Sequence, residues 1–600
     1  MFGYFQRYFF RYFASNDDGF LSSSLPSNKQ RSFPRFLPSN SPLFYPSSFP
    51  EYSTRNFETN VWRFLERNEE SPVARHELRK LFSPVLTPRA EIGINHQGTK
   101  TQRGFGQGTS AYDWRSWRVQ CRIQGLTCGF DKKELASTLS VLKMDNLKPF
   151  LADVLSGVAS EYADIRIEEA EHARIIYRGR DLDEIGRAFE RGGCIRVFHR
   201  GNWGTASFNQ VDDKLKGLAR DVAAAVEAMP ARPETLGKMP ALTDSVTVPE
   251  ADDPRRVPLA EKHALIKHYN DILLKTAGIT TTISAYVDSS RKTSFLSSED
   301  RSITQESVYT GFMCSAVARD GANVQDYSDT FGKTQGFASL LNREPLVERI
   351  AKVALDLLKA EPVLAGKYDV ILDPLLAGVF AHEAFGHLSE ADFLATNERL
   401  RELMKVGKRY GVDDLTIVDD ATMPGERGSF RFDGEGIEAG RNELIKGGII
   451  AGHLHDRQSA QRMGERVTGN ARAVSYRFAP IVRMSNTYIE PRSFNIEDML
   501  DSVENGLYVC GSRGGMTELE SFTFSSQYAR LVEHGRQTKL LRDVTLSGNV
   551  FETLKSIEMI GDDLVMLGGL GGCGKGGQSP LPVGFGAPHI LIRNVVIGGR

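Results

Sequence analysis

The chain is 600 residues long, 40% hydrophobic and 25% charged, with a formal net charge of −2. That length accommodates roughly four domains at about 150 residues each, and the composition excludes a collagen-like or wholly disordered chain. No uninterrupted apolar run approaches the ~20 residues of a bilayer-spanning helix. Six scattered cysteines exclude a disulfide-built secreted scaffold and point to reduced thiols in the cytoplasm.

Charge is unevenly spread. Residues 1–143 hold 20 Lys+Arg against 12 Asp+Glu, whereas 144–600 hold 54 against 64, so the small total is a cancellation of +8 against −10. The first 60 residues carry six prolines, many serines and phenylalanines, and no helical or strand period. Such a segment reads as unstructured. A transit peptide is opposed by its length and by Asp17-Asp18, and its positive charges are too dispersed for a nucleic-acid arm. We expect 1–143 to be a largely unstructured extension ahead of a second start at Met144. Cys121 and Cys128 within it lack the partners of a zinc site.

From 144 onward the pattern is regular. Leu147, Leu151, Val154, Leu155 and Val158 recur at helical spacing, predicting a helix over about 146–161. Short strands are expected at Ile165–Glu169 and Ala173–Tyr177, a helix near 182–190, and strands at Ile195–His199 and Thr205–Phe208. These elements form an N-terminal α/β domain over 144–230. A Pro/Thr/Asp-rich connection follows over 231–260, then a helix at 259–275 and strands at 278–287 and 306–318. A helix marked by Leu346, Ile350, Val353 and Leu357 precedes an apolar strand at Tyr368–Leu372. Beyond about 405 glycines and short β signals dominate, so a larger β-rich C-terminal domain is expected over 261–600. The fold class is α+β.

The sharpest chemical signal is His382-Glu383-Ala384-Phe385-Gly386-His387. Asp373 can cap a helix and Pro374 suits its first position, so a helix through Leu375–Phe380 delivers the histidines. Two imidazoles with an adjacent carboxylate suit zinc, the glutamate activating water. The usual spacing for such a pair is i, i+4, about 40° apart around a helix, whereas i, i+5 places them about 140° apart. A shared metal therefore requires the helix to stop before His387 or to carry a π-type turn, in which i and i+5 align. Otherwise the two histidines are a buried pair with Glu383 as an ion-pair partner.

The run HEAFGHLSEAD resembles the metal motif of the TldD/PmbA family of peptidases, in the TldD-type half that retains HExxxH. FRFDGEG at 430–436, LHDR at 454–457, TGN at 468–470, RMSNTY at 483–488, GLYV at 506–509 and GGCGKGGQ at 571–578 extend the resemblance over roughly 147–600. It implies a third zinc ligand, Cys573, so that His382, His387 and Cys573 hold one Zn2+ per chain and Glu383 is the catalytic base. It further implies a zinc metallopeptidase acting on unfolded or partly degraded peptides, with modified precursors among the family's substrates. A homodimer, or a heterodimer with a PmbA/TldE-like subunit, would enclose the site. The chain departs from the family pattern at Ala391, and Gln578–Pro582 is one residue longer than usual. The contrasting role, a non-catalytic PmbA/TldE-like partner or regulatory binding protein, is opposed by the complete ligand set. The −10 balance of 144–600 argues against direct nucleic-acid contact.

Lesser candidates are weighed beside it. His453 and His455 form an HxH pair that on a strand would face one side and could bind metal, although the resemblance places LHDR in the scaffold. Gly568–Gly577 is glycine-dense but lacks the ending of a phosphate loop, since Gly576 follows Lys575. Cys314 and Cys510 read as buried hydrophobes. Glu390 is either a partner of a metal ligand or a helix-end carboxylate. The strand at Arg483–Ile489 is a candidate for pairing with an extended peptide.

Overall fold

The computed structural model describes residues 147–599, together with the backbone of a short antiparallel pair, Arg122–Ile123 and Leu126–Thr127. The extension expected over 1–143, the helix residues before Leu147, Cys121 and Cys128 lie outside these described residues, apart from that pair.

The first half is a long-stranded sheet backed by helices. Its elements are α1 (Leu147–Ser156), β1 (Tyr162–Arg178), β2 (Asp181–His199), β3 (Asn202–Phe208), α2 (Lys214–Glu227), β4 (Leu242–Val246), α3 (Leu259–Lys275), β5 (Ile279–Ser297), β6 (Arg301–Asp320), β7 (Asn323–Lys333) and α4 (Glu344–Leu357). The strands form one seven-stranded sheet in the order β3-β2-β1-β5-β6, with β4 and β7 both pairing β6. α1 and α2 pack with Ile165, Ile167, Ile195 and Val197. α3 and α4 pack with Ile175, Tyr286, Phe312 and Cys314, where Cys314 is a buried free thiol as expected.

Two expectations change here. Residues 182–190, expected as a helix, lie in β2, paired with β1 from Arg178↔Asp181 inward with one register shift at Asp183. The stretch Asp181–Phe189 is largely exposed, so no buried face imprinted a readable period. Cross-strand charges hold it instead, including Glu169 with Arg191 (3.1 Å) and Arg174 with Glu184 (3.3 Å). The two short strands expected before it merge into β1. The sheet also runs across the connection expected at 231–260: β4 lies inside that segment, and β5, expected in the C-terminal domain, pairs with β1 along nearly its whole length.

The second half contains two large sheets around its main core. A ten-stranded sheet places β8 (Gly366–Leu372) parallel to Asn505–Cys510 and antiparallel to Ile590–Gly598. A six-stranded sheet places Asn486–Ile489 between Ile417–Asp420 and Gly584–Ala587. α5 (Pro374–Phe380) leaves β8 and runs into that core, where Leu376, Phe380 and Phe385 join Leu372, Leu507, Ile417 and Ile489 in one fully buried cluster. Both edges of 486–489 are occupied and its residues are buried, so this strand has no free edge for an extended peptide.

Candidate metal centre

The approach to the site is set by a helix cap. Asp373 Oδ1 accepts the Leu376 amide (2.8 Å) and Oδ2 accepts the Gly511 amide (2.9 Å), while Pro374 takes the first helical position. α5 then changes pitch. Ala381–Gly386 is a π-helical turn and His387–Ser389 a 3-10 turn, ending at extended Glu390. Of the two ways left open by the i, i+5 spacing, the chain takes the π turn. Gly386 makes it possible at this depth, because a Cβ there would lie 2.1 Å from Met484 Sδ.

The third expected ligand comes from a hairpin. Cys573–Lys575 and Gln578–Leu581 pair antiparallel, and the turn between them uses Gly576 and Gly577 at φ +58° and +76°, conformations costly to other residues. Arg483, fully buried, holds both strands: Nη2 donates to the Cys573 carbonyl (2.7 Å) and Nη1 to that of Gln578 (3.2 Å). The insertion-like stretch Gln578–Pro582 thus supplies the returning strand of this hairpin. The glycine-dense run carries a cysteine to the site and is not a phosphate loop.

His382, His387 and Cys573 each present a donor atom, and these atoms lie within 4.8 Å of one another. Cys573 Sγ is 3.2 Å from His387 Nε2, and the two imidazoles meet edge to face with centroids 5.2 Å apart. His382 and Cys573 are buried, while the side chains of His387 and Glu383 remain 20% and 26% exposed, so the cluster opens to solvent on that side. Glu383 Oε2 lies 3.9 Å from His387 Nε2.

Around them stands a second set that composition and spacing left undecided or unseen. Glu390, wholly buried, accepts from His387 Nδ1 at 2.9 Å, which commits Nε2 to the side of Cys573. Lys575 Nζ lies 3.2 Å from the same Glu390 oxygen, donates to Asp392 Oδ1 (2.6 Å) and to the Val482 carbonyl (2.8 Å), and sits 4.3 Å over the Phe393 ring. Glu390 is therefore a partner of His387. Lys575 and Arg483 gave no signal of their own in the sequence beyond lying inside quoted motifs.

The electrostatics follow from this packing. Burial pushes the Cys573 thiol up, but His387 and His382 outweigh it and hold it well below the ordinary thiol range. Burial likewise opposes charge on His387, and Glu390 and Cys573 reverse that and raise it. Desolvation raises the Glu383 carboxyl above its usual range against the pull of both imidazoles. Two imidazoles and a thiolate form a donor set suited to zinc. His382 Nδ1 is buried without a hydrogen-bond partner among the described atoms, and a metal among the three donors fits such a cluster.

A paired-histidine and cysteine cluster beside an ionisable glutamate, in a two-sheet core, is a candidate metal centre. Sequence comparison gives the family. Models described as PmbA/TldA metallopeptidase domain 1, central domain and C-terminal domain match residues 163–229, 252–359 and 365–599. The chain belongs to the PmbA/TldD metallopeptidase family. A metalloprotease of Synechocystis sp. is 41% identical over 463 residues, covering 76% of this chain and 99% of that protein. A zinc metalloprotease TldD homolog of Saccharolobus solfataricus is 29% identical over 456 residues, covering 74% and 97%. TldE from Thermococcus kodakarensis shares the fold, with a TM-score of 0.62 at 18% identity over 76% of this chain and 100% of that one. Among the described residues no helix is long and apolar enough to cross a membrane.

Proposed function

We propose that this chain is a zinc-dependent peptidase that hydrolyses unfolded or partly degraded peptides, modified peptide precursors included. The observation that carries the reading is the meeting of His382 and His387 with Cys573, 186 residues further along the chain, beside the Glu383 carboxylate. These three residues would hold Zn2+, and the side on which His387 and Glu383 are partly exposed is open to water and substrate. Bound there, zinc supplies Lewis acidity that lowers the pKa of water and polarises a carbonyl.

The chain's own groups do the rest. Glu383 is raised toward neutrality by burial, which suits a base that takes a proton from water and returns it to a departing amine. Glu390 orients His387 through Nδ1, and His387 and Lys575 together hold Glu390 in its ionised form. Substrate enters from the side where His387 and Glu383 are exposed. Enclosure by a second subunit, identical or PmbA/TldE-like, belongs to the same reading and is supported by the fold shared with TldE.

The test uses zinc-loaded protein and an unstructured peptide. Glu383→Gln is expected to retain zinc and lose at least 100-fold in cleavage rate, the usual scale of a general base. Full activity in a zinc-bound Glu383→Gln variant refutes the assignment.

A further inference from the structure

A second cluster lies outside that centre and is not used by the proposed reaction. His453, His455 and Glu465 bring three donor atoms within 4.8 Å of one another. Both histidines are buried, 4% and 0% exposed. His453 Nδ1 lies 3.0 Å from each oxygen of Glu465, and His455 Nε2 lies 3.1 Å from Oε2. The rings stand nearly perpendicular, at 86°.

Donor accounting makes the cluster unusual. His453 Nε2 faces the Met404 carbonyl at 2.7 Å, and a carbonyl only accepts, so Nε2 carries a proton. The other ring nitrogen, Nδ1, faces a carboxylate that also only accepts. That 3.0 Å contact is satisfied by a second ring proton or by a cation held between the two groups. His455 Nδ1 is engaged by the Ser459 hydroxyl at 3.1 Å, which leaves Nε2 free to face the same carboxylate. Each outer nitrogen is thus anchored to a carbonyl or hydroxyl, and each inner nitrogen converges on Glu465. That is how surrounding groups orient metal-ligating imidazoles.

We propose that His453, His455 and Glu465 form a second divalent-cation site, of two imidazoles and one carboxylate, suited to zinc or another first-row dication. Glu465 is 26% exposed in its side chain and provides the approach for the ion. The site has a structural place in the fold. Leu454, between the histidines, donates its amide to the Ser389 carbonyl (2.8 Å) and accepts the Ala391 amide (2.9 Å), bracketing Glu390. A cation here ties the 453–455 segment, Met404 and Glu465 together and stiffens the backbone that presents Glu390 to His387.

Full-length protein stripped of metal and dialysed against Co2+ tests this by bound equivalents per chain. The wild type is expected to hold two. His382→Ala/Cys573→Ser is expected to hold one, with no thiolate-to-cobalt absorption. Glu465→Gln and His455→Gln are each expected to hold one, with that absorption intact. The double variant leaves the second site unmutated, so it reports even where Glu465→Gln or His455→Gln fails to fold. One equivalent in the wild type and none in the double variant overturns the proposal and assigns the cluster a proton. Full wild-type stoichiometry in folded Glu465→Gln and His455→Gln also overturns it. Loss of one equivalent in those variants alone, with none lost in the double variant, upholds this site and refutes the centre described above.

Discussion

Glu390 decides how His387 can act. Its side chain is wholly buried, one oxygen accepts from His387 Nδ1 while lying near Lys575 Nζ, and the other oxygen has no partner among the described atoms. Burial would drive such a carboxyl to protonate, but His387 and Lys575 hold it below the usual range, so it remains an anion. An anion on the far nitrogen raises the basicity of the near one. Glu390→Gln preserves shape and removes the charge, and is expected to weaken metal binding by about 10- to 100-fold. Competition with a chelator of known affinity measures this; unchanged affinity would show Glu390 to be a helix-end carboxylate only. Lys575 and Arg483 extend the same logic outward, one fixing Glu390 and the other the Cys573 hairpin. Both are lysine and arginine side chains in the core, which residue type alone assigns to the surface.

At the scale of the element, the π turn is the device on which the centre depends. A regular helix would leave His382 and His387 pointing about 140° apart, and Ala381–Gly386 brings them to one side. Gly386→Ala puts a methyl group against Met484 Sδ, where the Cβ position is 2.1 Å away. Overpacking of this kind costs about 1–3 kcal/mol. We expect a lowered Tm and reduced metal occupancy, with partial recovery in Gly386→Ala/Met484→Ala, a coupling that a double-mutant cycle reads directly. Additive losses would mean that the clash is relieved elsewhere. Much of this element was legible in the sequence: the Asp373 cap, the Pro374 start and the i, i+5 conflict all follow from local rules. Cys573 was reachable only through the family resemblance, because no local rule links residues 186 apart. The helix expected over 182–190 is strand β2 instead, because an exposed strand held by pairing with β1 leaves no apolar period. The whole of the long sheet shares that difficulty, since β4–β7 join β1–β3 across a segment that reads as a linker.

Across the molecule, the two halves are joined by buried charge. Arg196 on β2 reaches Asp164 on β1 at 2.5 Å and Glu435, in the FRFDGEG run, at 3.1 Å, with its guanidinium 4.7 Å from the Trp203 ring. Tyr162 adds a hydrogen bond to Asp164 (2.9 Å), and the Arg457 amide one to Glu435 (2.9 Å). All three charged side chains are nearly inaccessible, at 5% or less. Burial raises Glu435 above the usual range and Arg196 is the largest influence pulling it down. Arg196→Met keeps the apolar bulk and strands two carboxylates, a change that typically costs about 3–5 kcal/mol. The sign of its pH dependence follows. Without Arg196, the folded-state pKa of Glu435, already raised by burial, rises further above its unfolded value of about 4. The folded variant then holds protons that the unfolded chain has released, so its stability falls as pH rises through that window and is regained below it. The Tm deficit of Arg196→Met relative to wild type is therefore expected to be larger at pH 7.5 than at pH 5. Any metal released at low pH would be released from both proteins and cancel in the difference. A deficit that does not change with pH would mean that the carboxylates find another cation, and that the halves are held by packing and not by this charge triad.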